Sequence, residues 1–281
     1  MSMSTAGSAA ASRSLSALIK SKETKWAIGG WCFFVAENAI LSENRTYLIS
    51  ELGDDNYHLV YGTLSTIATA SIGYSYYLLR NLKLDPKAYS IVRSPVALGA
   101  SWVLLTVGLN LASQGLPKFQ IPVGMSDASE TGEPSKLQVR CPFDFKEPER
   151  DAENSLHGLE RVTRHPGLWS LGLTGLGHSL LVPPAALPLK MWFTGPALVA
   201  WLGGAHTDSR FRRGLGGTLS PVHDSVTSNI PFAAMLAGQQ GNPAESFQKL
   251  VAEELKPLNA ALATAASTIW VVLQARRFRF R

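Results

Sequence analysis

The feature that most constrains this chain is a series of nearly charge-free stretches, each close to the length of a bilayer crossing and set apart by charged connectors containing Pro and Gly. A hydrocarbon layer of about 30 Å takes roughly 20 mostly apolar helical residues to cross. The stretches that approach this length are 26–41, 56–79, 94–116, 168–182, 187–206 and 257–275. The third and the last are clean. The first is short and carries Glu37 and Asn38, the fourth is short and carries His178, and the fifth is interrupted by Lys190 and Pro196. Tyr57, Tyr61, Tyr74, Tyr76 and Tyr77 fall near the ends of the second, where an aromatic belt would meet the headgroups. In lipid the backbone has only itself to bond, so helices are the default, and the alternating ~10-residue strands of a barrel are not seen. The expected fold is all-α: a polytopic transmembrane helix bundle of about six membrane helices, with a polar connector at 117–166 between the third and the fourth.

Charge supports this reading. Charged residues make up 17% of the chain, below the ~25% usual in soluble domains. The formal net charge is +5, with basic residues at the N-terminus, at segment ends and in the tail Arg276, Arg277, Arg279 and Arg281. There they would meet anionic headgroups, so membrane lipids are the expected surroundings. No basic stripe interleaved with aromatics and no zinc-finger spacing occurs, which excludes nucleic acid as an expected partner. Cys32 lies in an apolar stretch and Cys141 in a connector, a pattern that supports neither a disulfide framework nor a thiolate cluster.

Residues 1–22 contain no Asp or Glu and are rich in Ser and Ala, with Arg13, Lys20 and Lys22 supplying positive charge. That is organelle-transit composition, and it leaves open a targeting segment or a merely disordered N-terminus. The chain therefore divides into residues 1–25 and a transmembrane domain at 26–281. Within the latter, 239–256 is expected to be an interfacial amphipathic segment, because Phe247, Leu250, Val251 and Leu255 recur at helical spacing. By the positive-inside rule, Lys20, Lys22 and Lys25 and then Arg80, Lys83, Lys87 and Arg93 put the N-terminus and the second connector on one side. The acidic connector 43–55 falls on the other. Crossing about six times would place Arg210, Arg212 and Arg213 on that acidic side. Either a weak segment does not span, or those arginines are held by protein or lipid.

An ionisable side chain inside an apolar stretch is expensive, so Glu37, His178 and His206 are candidate functional residues. His178 has the chemistry to ligate a metal or haem, or simply to hydrogen-bond a neighbouring helix. His206 opens HTDSRFRR, with Asp208 and Arg210 close by, as a ligand orientated by a carboxylate would be; a solvated interfacial cluster reads the same way. His165 precedes Pro166, a residue suited to starting a helix. Zinc is unsupported, since no HExxH-like pair occurs. There is no GxSxG nucleophile elbow and no phosphate loop.

The run RVTRHPGLWSLGLTGLGHSLL (161–181) resembles the RHP-x-x-W followed by a helix with an embedded His that marks the NnrU family, which includes zeta-carotene isomerase. HTDSRFRR (206–213) resembles its His-x-Asp-x-Arg stretch, SNIPFAAMLAG (228–238) its Ser-x-x-Pro-Phe segment, and LSENRTYLISELGDDNYHLVYGTLSTIA (41–68) the region before its second helix. The resemblance implies a multi-helix membrane protein of an organelle, a plastid ahead of a mitochondrion. For the isomerase branch it also implies a haem b whose iron lowers the bond order of a polyene so that cis and trans interconvert. His206 and His178 are then the expected catalytic and iron-binding pair, with His165, Asp208 and Arg210 as further cofactor-binding residues. The chain departs from the family in its first helix, where Glu37 or Asn38 stands in place of the usual His. A carboxylate is a poor substitute for imidazole on haem iron. Two functions follow: a haem-dependent cis-trans isomerase of a polyene (carotenoid), or a non-catalytic membrane subunit of a larger organellar complex that has lost the haem site and meets protein partners.

Overall fold

The computed structural model describes residues 21–80, 94–119, 123–125, 137–139, 143–144 and 156–277. Arg13, Lys20, Lys83, Lys87, Arg93, Cys141, Arg279 and Arg281 lie outside them. In chain order the helices are α1 (Lys22–Glu43), α2 (Arg45–Leu52), α3 (Asp54–Leu79), α4 (Pro95–Gln114), α5 (Pro166–Leu180), α6 (Leu187–Arg212), α7 (Pro221–Val226), α8 (Ala233–Leu236), α9 (Pro243–Lys249) and α10 (Pro257–Arg277). The fold is all-α but for two antiparallel pairs of very short strands in the polar connector. These join β1 (Lys118–Phe119) to β4 (Phe143–Asp144) and β2 (Val123–Met125) to β3 (Leu137–Val139).

Local chemistry sets several starts. Ser21 and Ser94 each accept a hydrogen bond from a backbone N–H inside the first turn, of Thr24 and Ala97 respectively, so α1 and α4 begin on capped ends. Residues 22–25, assigned from composition to the N-terminal segment, therefore form the first turn of α1. Proline opens α4, α5 and α10, where its missing N–H costs nothing. Two helices, Pro95–Gln114 and Pro257–Arg276, are long and apolar enough to cross a membrane.

The long helices form a continuous row: α10 packs on α4, α4 on α5, α5 on α6, α6 on α1, and α1 on α3. Their directions follow from cross-helix contacts. Tyr57 Oη donates to the Leu41 carbonyl and Ser65 Oγ to Glu37, so α1 and α3 are antiparallel. Trp31 meets Trp192 while Ser42 meets His206, so α1 and α6 run the same way. His165 meets Asp208 while Gly175 faces Phe193 and Pro196, so α5 opposes α6. Gly108 against Ser170 and Thr174, with Ser101 Oγ donating to the Gly177 carbonyl at 2.8 Å, sets α4 against α5. Trp102 to Thr268, and Gln114 to Lys256, set α10 against α4. Successive long helices thus alternate in direction along the chain.

Glycine marks nearly every interface in this row. A Cβ on Gly30 would press on Ser71 and Ile72, on Gly108 on Thr174 and Ser170, on Gly172 on Ala197 and Ala200, and on Gly177 on Leu105. Small residues let helix backbones approach closely where no water-driven burial pulls them together. Pro196, expected to interrupt the fifth stretch, sits instead inside one continuous helix. It lacks the N–H that the Trp192 carbonyl would take up, and the Trp31 indole N–H donates to that oxygen at 3.0 Å. The Trp31 ring occupies the space left by Gly195.

The C-terminal ends of α1, α4 and α6 gather at one end of the row, with α2 and the segment carrying α7 to α9 beyond them. A compact core lies there: Leu111, Val162, Trp169, Leu173, Ala200, Met235 and Leu250 are all buried together. The segment 239–256 contributes to it, since Leu250 is buried while Phe247 and Val251 remain exposed. Elsewhere the row leaves large apolar side chains uncovered, among them Leu59, Ile67, Val103, Leu171, Leu202, Ile269 and Leu273.

Candidate functional site

The three resembling motifs of the chain's second half meet at this capped end. Arg164, from the loop before α5, bonds Asp208 on α6 through Nε and Nη2, at 3.1 and 2.7 Å. Its Nη1 reaches Asp224 on α7 at 2.7 Å, as well as the carbonyl and hydroxyl of Thr227. His165 Nε2 donates to the second oxygen of Asp208 at 2.8 Å. Asp224 in turn takes Arg212 through both oxygens, at 2.7 Å each. The Arg212 guanidinium, with Arg164 beside it, holds the Asp224 carboxyl below the usual carboxylate range against the opposing effect of burial.

The Ser-x-x-Pro-Phe segment is stitched to the same loop. Arg164 N donates to the Ser228 carbonyl, Thr163 Oγ1 to that of Asn229, and Phe232 N to that of Val162. Asn229 accepts from the Trp169 indole at 3.0 Å and donates to the Trp201 carbonyl at 2.9 Å, lying against Gly204 where a side chain would collide with it. Phe232 holds φ 62, a left-handed conformation unusual for a bulky residue, which its place between the loop and α8 imposes. Farther along, Arg161 and Glu254 form a pair with side chains 7% and 2% exposed. Glu254 also accepts from the N–H of Gly158.

His206 is not part of this cluster. Two residues before Asp208, it faces the other side of α6, where Nε2 lies 2.9 Å from Ser42 Oγ and 3.9 Å from Glu43. Glu43 is held by both Nη atoms of Arg213, at 2.6 and 2.9 Å. Arg210 is likewise separate from Asp208. Its Nη2 lies beside Gly216, and its Nε is buried without a hydrogen-bond partner. His178 is at the opposite end of the row: Nδ1 donates to the Thr174 carbonyl at 2.8 Å, and the ring stacks on Phe193 with centroids 5.4 Å apart. Phe193 and His206 share α6 and stand about 20 Å apart along its axis, at roughly 1.5 Å of rise per residue.

The expected pair of iron ligands is therefore not brought together. Two axial imidazoles must face one iron from opposite sides, whereas His165, His178 and His206 occupy three places, and the Nε2 atoms of His165 and His206 are engaged by Asp208 and Ser42. A haem held by two of these histidines does not fit this arrangement. No group of three or more His, Cys, Asp or Glu suited to a metal occurs among the described residues. The His165–Asp208 pair resembles the orienting half of a catalytic triad, but among the described residues no nucleophile is bonded to the imidazole. What the arrangement does chemically is clasp a loop to two helices. Asp208 and His165 were legible as candidates, whereas Arg164, Asp224, Asn229 and Glu254 were not, because no local spacing announces a partner far along the chain. Two signals were present: Arg164 opens the quoted RHP run, and three arginines on an acidic side call for acids of the protein or for lipid.

The chain matches no protein-family model, no curated protein and no solved structure.

Proposed function

We propose that the chain is an NnrU-like integral membrane protein crossing the bilayer about six times, and that it serves as a non-catalytic membrane subunit, a scaffold for a larger organellar assembly. The observation that carries this reading is the separation of the three histidines, each bonded in a different place, with Asp208 and Asp224 taken up by Arg164 and Arg212. Alternating helix directions, glycine at the interfaces and apolar side chains facing outward support the crossings. So does the hydroxyl pairing of Thr106 with Ser267, at 2.6 Å between α4 and α10. Of the three arginines that were the obstacle to this topology, Arg212 is taken by Asp224 and Arg213 by Glu43, while Arg210 has no ion pair among the described residues.

Two measurements test the proposal. Detergent-solubilised protein is expected to lack a Soret band and to migrate with a larger assembly. A Soret band that His206→Ala abolishes would overturn the reading. In a background without Cys32 and Cys141, cysteines placed at Lys25, Arg80 and Lys190 should react with an impermeant maleimide from one side of the membrane, and those at Glu51, Leu116 and Val222 from the other.

A second reading, an isomerase of a polyene, is favoured by one observation. An apolar groove of about 340 Å³ runs between α5 and α6, lined by Trp169, Leu176, Ala197, Leu198, Trp201 and Ile230. Chromatographic detection of cis-to-trans conversion, lost when Ala197→Trp fills the groove, would favour the enzyme over the subunit.

A further inference from the structure

Between α1 and α3 lies a cluster of polar side chains that neither reading uses. Glu37 sits on α1 about 9 Å below Glu43 at the helical rise per residue, with only 5% of its surface exposed. Its Oε1 accepts from Ser65 Oγ at 3.0 Å and from the neighbouring Asn38 amide. Asn38 in turn accepts from Tyr61 Oη at 2.6 Å. Glu37 Oε2 is buried and has no hydrogen-bond partner.

A charged carboxylate in that position is untenable in lipid. An isolated buried ion costs far more than its neutral form, and the group responds by taking up its counter-charge or a proton. The groups facing this end of α1 can be named. From α3 come Tyr61 and Tyr57, from α2 Arg45, from α6 His206, Arg210 and Arg213, and on α1 itself Glu43. Arg213 is taken by Glu43, Arg45 lies over the Tyr57 ring, Arg210 lies beside Gly216, and His206 bonds Ser42. None of these forms an ion pair or hydrogen bond with Glu37 among the described residues. No cation is committed to the acid, and both donors it has are neutral.

We propose that Glu37 is a proton-binding site: the carboxyl is carried as the neutral acid within the α1–α3 pair, its proton on the unpartnered oxygen, and it exchanges that proton with the capped end. Ionisation places an unpaired charge between the two helices and loosens them. The site thus makes the packing of α1 on α3 a function of pH.

Dicyclohexylcarbodiimide is the probe, because it is apolar and consumes the protonated form of a carboxyl. The acid's oxygen adds to the central carbon of the carbodiimide while its proton goes to one nitrogen. The acyl group then shifts from that oxygen to the other nitrogen, giving the stable N-acylurea with nothing lost. In the wild-type membrane protein, peptide mass mapping should find Glu37 labelled at neutral pH while exposed Glu51 is not. Labelling should fall about tenfold for each pH unit above the ionisation of the site. Absence of label at Glu37 in folded protein, or labelling no greater than at Glu51, overturns the proposal, as does protection of Glu37 by added sodium or potassium, which would make the occupant a metal cation. Glu37→Gln, which mimics the neutral acid, should fold, resist the reagent and melt at a pH-independent temperature. Wild type should lose stability relative to it as pH rises above the ordinary carboxylate range, because there the unfolded chain releases the proton that the folded one holds, and the loss should level off once the folded form ionises. Equal pH slopes in the two proteins would also overturn the proposal.

Discussion

The two ends of this helix row handle charge in opposite ways. At the capped end, Arg161, Arg164, Arg212 and Arg213 each meet a carboxylate within 2.8 Å, and the carboxylates come from distant parts of the chain. At the other end, Lys22, Lys25, Lys190 and Arg276 form no ion pair among the described residues, and Arg80 rests over the ring of Tyr77. Counting arginines by segment makes the capped end look too basic to lie on an acidic side. Once the pairs are seen, Arg161, Arg164, Arg212 and Arg213 are neutralised within the protein, whereas Arg45, Arg210, Lys249 and Lys256 form no ion pair among the described residues. Glu51, Asp54, Asp55, Glu160, Glu245 and Glu253 lie at the capped end outside those pairs, so it keeps no excess of positive charge, whereas the opposite end does; by the positive-inside rule that difference would orient a chain crossing a membrane.

The sharpest way to break this contrast is to remove the carboxylate on which the cap converges. Asp208 is 3% exposed and receives Arg164 and His165 together. Asp208→Ala leaves a buried guanidinium and an imidazole without their shared acceptor, which costs about 3–5 kcal/mol. The expected outcome is a large fall in thermal midpoint, together with proteolytic cleavage between residues 213 and 245. Lys190→Ala at the opposite end should change neither. Equal losses from both substitutions would mean that the cap's pairs carry no more stability than free surface charges.

A second contrast tests whether the row is held by close backbone approach. A Cβ on Gly108 would come within 2.6 to 2.9 Å of the Thr174 side chain and the backbone of α5, whereas one on Gly99, on the same helix, would meet nothing within 4 Å. Gly108→Val should therefore cost about 1–3 kcal/mol through overpacking. Gly99→Val should be close to neutral. The measurement is the denaturation midpoint of each variant in one detergent.

Much of the fold was legible before any coordinates, and what was hidden has a physical reason. The six apolar stretches all became helices, because length and absence of charge are local properties. Their limits were less legible. Lys22 to Lys25 are polar and Ser209 to Arg212 carry two arginines, yet they continue α1 and α6, where Ser21 caps the first and Asp224 takes Arg212 at the end of the second. Pro196 read as an interruption, because nothing nearby in sequence reveals that Trp31 would supply the missing donor. The candidate site was half legible. Asp208 and His165 stood out by residue type and motif, but Arg164 reaches Asp208 only through the antiparallel packing of α5 on α6, and Asp224 and Thr227 join them only through the reversal of the chain between α6 and α7. His206 and His178 looked alike as imidazoles in apolar stretches, and only the direction of the helices places them at opposite ends of the row.

The smallest expected effect is electrostatic and lies at the exposed rim of the cap. The hydrogen bonds from Arg213 hold the Glu43 carboxyl below its ordinary range, reinforced by the positive charge of Arg213, His206 and Arg210, with partial burial opposing. A carboxyl whose folded-state ionisation is depressed contributes stability above the ordinary carboxylate range and loses it as pH falls through the folded value. Wild type should accordingly lose a little stability on acidification, and Arg213→Ala should lose less, because its Glu43 has no depressed ionisation to give up. Salt should shrink the difference between the two proteins, since the pair is solvent-facing and screened. A difference that survived in high salt would place the pair within the buried network, and the cap would then extend across α1 as well as α6.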